Sequence, residues 1–72
     1  MNSKKRVKNL LTNQEIKTLK LAAEGLDNPH IAKILFISSH TVKAHLAAIY
    51  KKLAVANRTE AVYFAVKNKL IE

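Results

Sequence analysis

His40, Lys43, Ala44, Ala47 and Lys51 fall at helical spacing, so a helix through "SHTVKAHLAAIYKKL" gathers them along one edge. An edge that only faced water would usually carry Glu, Gln and Lys. Here cations are interleaved with methyl-sized side chains. The chemistry that fits is contact with a grooved polyanion. The major groove of duplex DNA is about 12 Å wide and admits a helix whose leading side chains are small. Ala44 and Ala47 let the backbone come close and offer methyls to thymine, while Lys43 has the reach for guanine O6 and N7. His40 sits at the leading end of this edge. Lys51 and Lys52 lie further along, where phosphate oxygens are the nearer partners. Taken alone, the stretch also reads as an ordinary solvated amphipathic helix.

Other chemistries find less support. His40 and His45 are five residues apart, about 140° round a helix, and do not converge on one ion. His30 belongs to a different element, and no cysteine or carboxylate cluster completes a metal site. His45 borders the apolar edge, as a packed or phosphate-facing side chain. Ser38, Ser39 and Thr41 suit helix capping, and no base is placed to activate them as nucleophiles. Tyr50, Tyr63 and Phe64 are too few, and too regularly at helical core or border positions, for a single-strand stacking platform. No catalytic residue, metal ligand or cofactor site is expected.

Charge favours the polyanion. Thirteen Lys and Arg stand against five Asp and Glu in 72 residues. Between Asn28 and Thr59 there are five cations (Lys33, Lys43, Lys51, Lys52, Arg58) and no acid. Such an imbalance points to nucleic acid first and an anionic membrane second, with a solubility surface as the plainer alternative. No apolar run approaches the roughly 20 residues that span a bilayer, and "MNSKKRVKN" lacks a signal peptide's apolar stretch. The expected location is therefore the cytoplasm.

Four helices must position these residues, and the fold class expected is all-α. Residues 1–9 read as a flexible basic leader or linker and 10–72 as one domain. The first helix opens at "TNQE", where Thr12 and Glu15 have capping-box spacing and Leu11 can staple onto Ile16. Ile16, Leu19, Ala22 and Ala23 form its apolar face, and Gly25 ends it. The second opens at "DNPH" with Asn28 as the expected N-cap and Pro29 at the first helical position. Ile31, Ala32, Ile34 and Leu35 are its apolar face. After the short link "FIS", Ser38 caps a third helix to about Leu53, whose buried edge is Val42, Leu46, Ile49 and Leu53. The fourth opens at "NRTE", repeating the cap-and-return pattern with Asn57 and Glu60. Ala61, Phe64 and Ala65 share its inner face, and Val62, Tyr63 and Val66 leave a second apolar face in want of a partner.

A short helix, a tight turn and a longer helix with a small, cationic edge make the outline of a helix-turn-helix. The ordered motifs "LTNQE", "GLDNPHIAKILFIS", "HTVKAHLAAIYKKLAV" and "NRTEAV", with "KLI" near the end, resemble the LuxR-type (NarL/FixJ-like) domains of bacterial transcription regulators. The resemblance covers about Leu11 to Ile71. It implies sequence-specific binding of double-stranded DNA, with the helix of about 39–53 in the major groove. Lys43, Ala44 and Ala47 then occupy base-reading positions, and Asn28, Thr41 and Lys52 backbone-contacting ones. The fourth helix becomes a homodimer surface, and RNA polymerase is a further candidate partner. Neither a membrane nor a small molecule is expected at this domain. The alternative is a protein-interaction module of the same fold without specific DNA binding.

The chain departs from that family's pattern in three places. Asn13-Gln14 stands for a common Pro-Arg, which removes a cation but keeps the capping box. Pro29-His30 stands for Lys-Glu, which takes a phosphate-directed Lys from the second helix. Lys69 replaces a usual glycine, so the last turn is expected to continue instead of capping. With alanine at two of the three base-reading positions, hydrogen-bond readout is sparse.

Overall fold

The computed structural model describes residues 10–71. The leader expected at residues 1–9 lies outside them, as does Glu72. Four helices follow one another: α1 Asn13–Ala23, α2 Asn28–Leu35, α3 Ser39–Leu53 and α4 Arg58–Lys67. There is no strand among the described residues.

The α1 start is a complete capping box. The Thr12 hydroxyl accepts from Glu15 N at 3.1 Å, and Glu15 Oε1 accepts from Thr12 N at 2.9 Å. Two orphan donors of the first turn are thereby satisfied. Leu11, just before the cap, is buried in the same core against which Ile16 packs, as a hydrophobic staple requires. Thr18 is fully buried, and its hydroxyl donates to the Gln14 carbonyl at 2.9 Å. That bond removes the cost of burying an unpaired hydroxyl.

The opening of α2 corrects one expectation. Asp27, not Asn28, is the N-cap: its carboxylate accepts from His30 N at 3.1 Å, and Asn28 is the first helical residue. The cap lies three residues before His30, which puts Pro29 second and leaves the Asn28 side chain free for another use. The α3 cap is as expected, with Ser38 Oγ accepting from Thr41 N at 3.0 Å. At α4 the pattern shifts by one. Asn57 Oδ1 accepts from Glu60 N, but the Glu60 carboxylate returns to Ala56 N instead of Asn57 N.

All four helices end in a left-handed residue: Gly25 (φ 89°), Phe36 (59°), Ala54 (57°) and Lys69 (58°). In each, the next N–H reaches back five residues, from Leu26 to Leu21, Ile37 to Ala32, Val55 to Tyr50 and Leu70 to Ala65. This is the long hydrogen bond of a Schellman-type ending. The last turn therefore caps at Lys69, contrary to the expectation of continuation. The close follows from burial of Leu70 and Ile71, which turn inward directly after it.

The core lies where the inner faces of α1, α3 and α4 meet, with α2 closing one side against α1 and α3. Leu19, Ile31, Val42 and Ile49 are fully buried there. The Val42, Leu46, Ile49 and Leu53 edge is buried throughout, which rotates the opposite edge of α3 outward. Ala61 and Ala65 are also fully buried, and their small side chains bring α4 close to α1 and α3. Ile34 does not join the core. It is 50% exposed, beside a shallow groove between α1 and α2 lined by Lys17, Lys20, Leu21, Glu24 and Leu35. A helix of eight residues presents little more than two turns, and Ile31 with Ala32 already fills the inward side.

Candidate nucleic-acid interface

α3 presents the edge that its sequence predicts. His40, Lys43, Ala44, Ala47 and Lys51 are all exposed, and no acid lies on this helix. Among the described residues, Lys43 and Lys51 have no carboxylate within ion-pair distance. At 1.5 Å per residue, Lys51 lies about 12 Å along the axis from Lys43. One cation is thus near the helix's leading half and the other well behind it. Thr41 is half-buried, and its hydroxyl is 2.9 Å from Ser38 Oγ, so it is shared with the cap. His45 is also half-buried, and its Nδ1 has no hydrogen-bond partner. It stays a border residue between core and edge.

Lys52 is differently placed. Its ammonium donates to Glu15 Oε1 at 2.8 Å and Oε2 at 3.0 Å, tying the end of α3 to the start of α1. Burial pushes the Glu15 carboxyl up. Hydrogen bonds from Lys52 and Thr12, with the Lys52 charge, more than reverse this and hold it below its ordinary value. Lys52 is therefore a partly neutralised cation, unlike Lys51 next to it.

Asn28 is held from an unexpected side. Arg58, the first residue of α4, donates Nη2 to Asn28 Oδ1 at 2.5 Å and Nη1 to the Leu26 carbonyl at 2.7 Å. α2 and α4 are not otherwise backbone neighbours. One long side chain joins them. Asp27, beside Asn28, is an exposed acid at the margin of the cationic surface. His30 Nδ1 lies 2.6 Å from its Oδ1. That hydrogen bond, with the one from His30 N, holds the Asp27 carboxyl below the usual carboxylate range.

The structure thus brings His40, Lys43, Ala44, Ala47 and Lys51 onto one face. It puts Thr41 and Asn28 into local hydrogen bonds and Lys52 into an ion pair. Val62 is half-buried, and Tyr63 (66%) and Val66 (50%) are exposed on α4. An apolar groove lined by Val55, Thr59, Glu60, Tyr63 and Phe64 continues that surface. Lys67 Nζ sits 5.7 Å from the Tyr63 ring centre, within cation–π distance. Sequence reasoning placed Glu15 in the capping box but missed its pairing with Lys52, and it missed the bonds that Arg58 makes. Their partners lie 37 and about 30 residues away, beyond any local periodicity. Among the described residues no group of histidine and carboxylate side chains could hold a metal ion, and no helix is long and apolar enough to cross a membrane.

Residues 9–65 match the family described as bacterial regulatory proteins, luxR family. The CsgBAC operon transcriptional regulatory protein of Escherichia coli is 49% identical over 59 residues, which is 82% of this chain and 27% of that protein. The transcriptional regulatory protein LiaR of Bacillus subtilis is 44% identical over 61 residues, or 85% and 29%. Among solved structures, the response regulator ChrA of a heme-sensing two-component system superimposes with a TM-score of 0.82 at 48% identity, over 85% of this chain and 30% of that one. The chain spans less than a third of the length of these relatives.

Proposed function

The chain belongs to the luxR family of bacterial regulatory proteins, and on that premise we propose that it binds double-stranded DNA sequence-specifically, as the output domain of a transcription regulator acting in the bacterial cytoplasm. α3 lies in the major groove. Lys43 donates to a guanine edge, and Ala44 and Ala47 give the close approach and methyl contacts, with His40 at the leading end. Lys51, Thr41 and Asn28 serve the phosphates. Lys52 has one ammonium proton left beyond its two bonds to Glu15, so its share is smaller than that of Lys51. The observation that carries this reading is the exposed, acid-free edge of α3, whose Lys43 and Lys51 have no anionic partner among the described residues. A protein-interaction module has no use for that edge.

The second apolar face of α4, with Val62, Tyr63 and Val66, pairs two copies on the operator. Two-fold pairing puts two copies of α3 on half-sites about one DNA turn apart. The face is small, so the free domain is mostly monomeric and pairs when DNA holds two copies together. RNA polymerase is the further partner that transcription regulation calls for. The test of DNA binding is a titration of duplex against salt. Each neutralised phosphate contributes a slope of about −0.9 in log affinity against log salt. A slope near zero would overturn the reading.

A further inference from the structure

We infer that Arg58 is a positioning residue for DNA binding, acting through the side-chain amide of Asn28. The inference rests on the proposed phosphate role of Asn28 and adds the group that makes it competent.

An asparagine amide has two faces of opposite character. Its oxygen accepts and its nitrogen donates two hydrogens. Only the nitrogen suits a phosphate, and rotation of the amide by half a turn would present the oxygen instead, an acceptor against an anion. Arg58 removes that ambiguity. A guanidinium has donors only, so the atom that receives Nη2 at 2.5 Å must be Oδ1. The amide nitrogen is then directed away from Arg58, with no hydrogen-bond acceptor among the described residues. Nη1 is meanwhile fixed on the Leu26 carbonyl at 2.7 Å. The fork therefore spans the backbone before α2 and the first side chain of α2 together. Its planar geometry allows both bonds at once, which a lysine ammonium on a flexible stem does not reproduce.

The link also has a direction. Arg58 opens α4, the helix proposed to pair two copies, while Asn28 opens α2. α2 and α4 are not backbone neighbours, and the Arg58 fork is a direct link between the position of α4 and the Asn28 amide.

The test is a double-mutant cycle on a duplex bearing a single half-site, which removes pairing from the measurement. Arg58→Lys keeps the charge and loses the fork. Asn28→Ala removes the donor. Each is expected to weaken binding about five- to tenfold, the size of one net hydrogen bond, and the double variant no more than the weaker single one. Losses that multiply would show that Arg58 does not act through Asn28 and overturn the inference, as would an unchanged Arg58→Lys. Asn28→Asp guards against a folding artefact, since a carboxylate keeps and strengthens the Arg58 bond but has no donor for phosphate. Its thermal unfolding is expected to match or exceed the parent's while half-site affinity falls at least tenfold. Parent-like affinity in Asn28→Asp would also overturn the inference. Failure of the parent to bind duplex, or binding with no salt dependence, would instead overturn the proposed function itself, a result separable from all of these.

Discussion

Replacing Lys52 by methionine exposes what the α1–α3 ion pair contributes. An exposed pair contributes about 0–1 kcal/mol, whereas stranding one charge of a fully buried pair costs about 3–5 kcal/mol. Here the carboxylate side chain is 9% exposed and the lysine 35%, so the pair falls between those cases. Methionine keeps the apolar stem packed, and what is lost is the partner of a buried carboxylate. The expected destabilisation at neutral pH is about 1–2 kcal/mol, or roughly 4–16 °C in melting temperature for a domain of this size. The pH dependence gives the sharper test. Glu15's folded pKa is lowered, so its contribution is complete above the unfolded value, about 4.5, and is lost as pH falls through the lower folded value. Protonated Glu15 does not need Lys52. The gap between parent and Lys52→Met should therefore narrow as pH is taken from 7 to below 4, in urea denaturation followed by circular dichroism. A gap that is absent at pH 7, or constant across this range, would refute the role given to the pair. Glu15→Gln supplies the complementary reading, because glutamine can still close the capping box while releasing Lys52. If Lys52 reaches a phosphate, its salt slope on DNA steepens by up to about 0.9 relative to the parent.

Lys43→Ala should cost about 1–3 kcal/mol on a cognate half-site and much less on random duplex; equal losses on both would remove its base-reading role. Val66→Glu puts a charge on the proposed pairing face, and cooperative occupancy of two half-sites in a gel shift should disappear while single half-site binding persists. Unchanged cooperativity would place the dimer contact elsewhere. Lys69→Gly relieves a left-handed residue at a cost of about 1–2 kcal/mol in the lysine form, offset by about 0.5–1 kcal/mol of added unfolded-state freedom. The net is a small stabilisation, whereas Lys69→Val should destabilise by more than that. Thermal melts of the two variants moving in the same direction would contradict the geometry.

What could be read from the sequence was what local chemistry decides. Thr12 and Glu15 announce a capping box at fixed spacing, and Val42, Leu46, Ile49 and Leu53 announce the buried edge of α3, so the opposite edge followed by rotation alone. Asp27 and Asn28 are both good caps, and choosing between them needed to know that Pro29 is the second helical residue. Lys69 hid its left-handed turn because lysine gives no local sign of positive φ; burial of Leu70 and Ile71 decides it. Ile34 has the right period for an inward face but lies on a helix too short to bury it. The pairs Lys52–Glu15 and Arg58–Asn28 were illegible for a different reason. They exist only after three helices have packed, and no spacing rule reaches across 30 or more residues.

The four left-handed helix ends bear on how quickly the interface assembles. Each reversal is closed by a hydrogen bond back over five residues, and the linking segments run from 3 to 4 residues between helices. Little loop-closure entropy stands between the collapsed chain and the native one, so the transition state is reached mainly by zipping neighbouring helices together. Helical domains of such low contact order relax in microseconds to milliseconds. A copy stripped from an operator and locally unfolded would thus recover α3 well before diffusing to a distant site. Temperature-jump relaxation slower than about a second would show that a non-local step, such as seating α4 against α1 and α3, controls the rate instead.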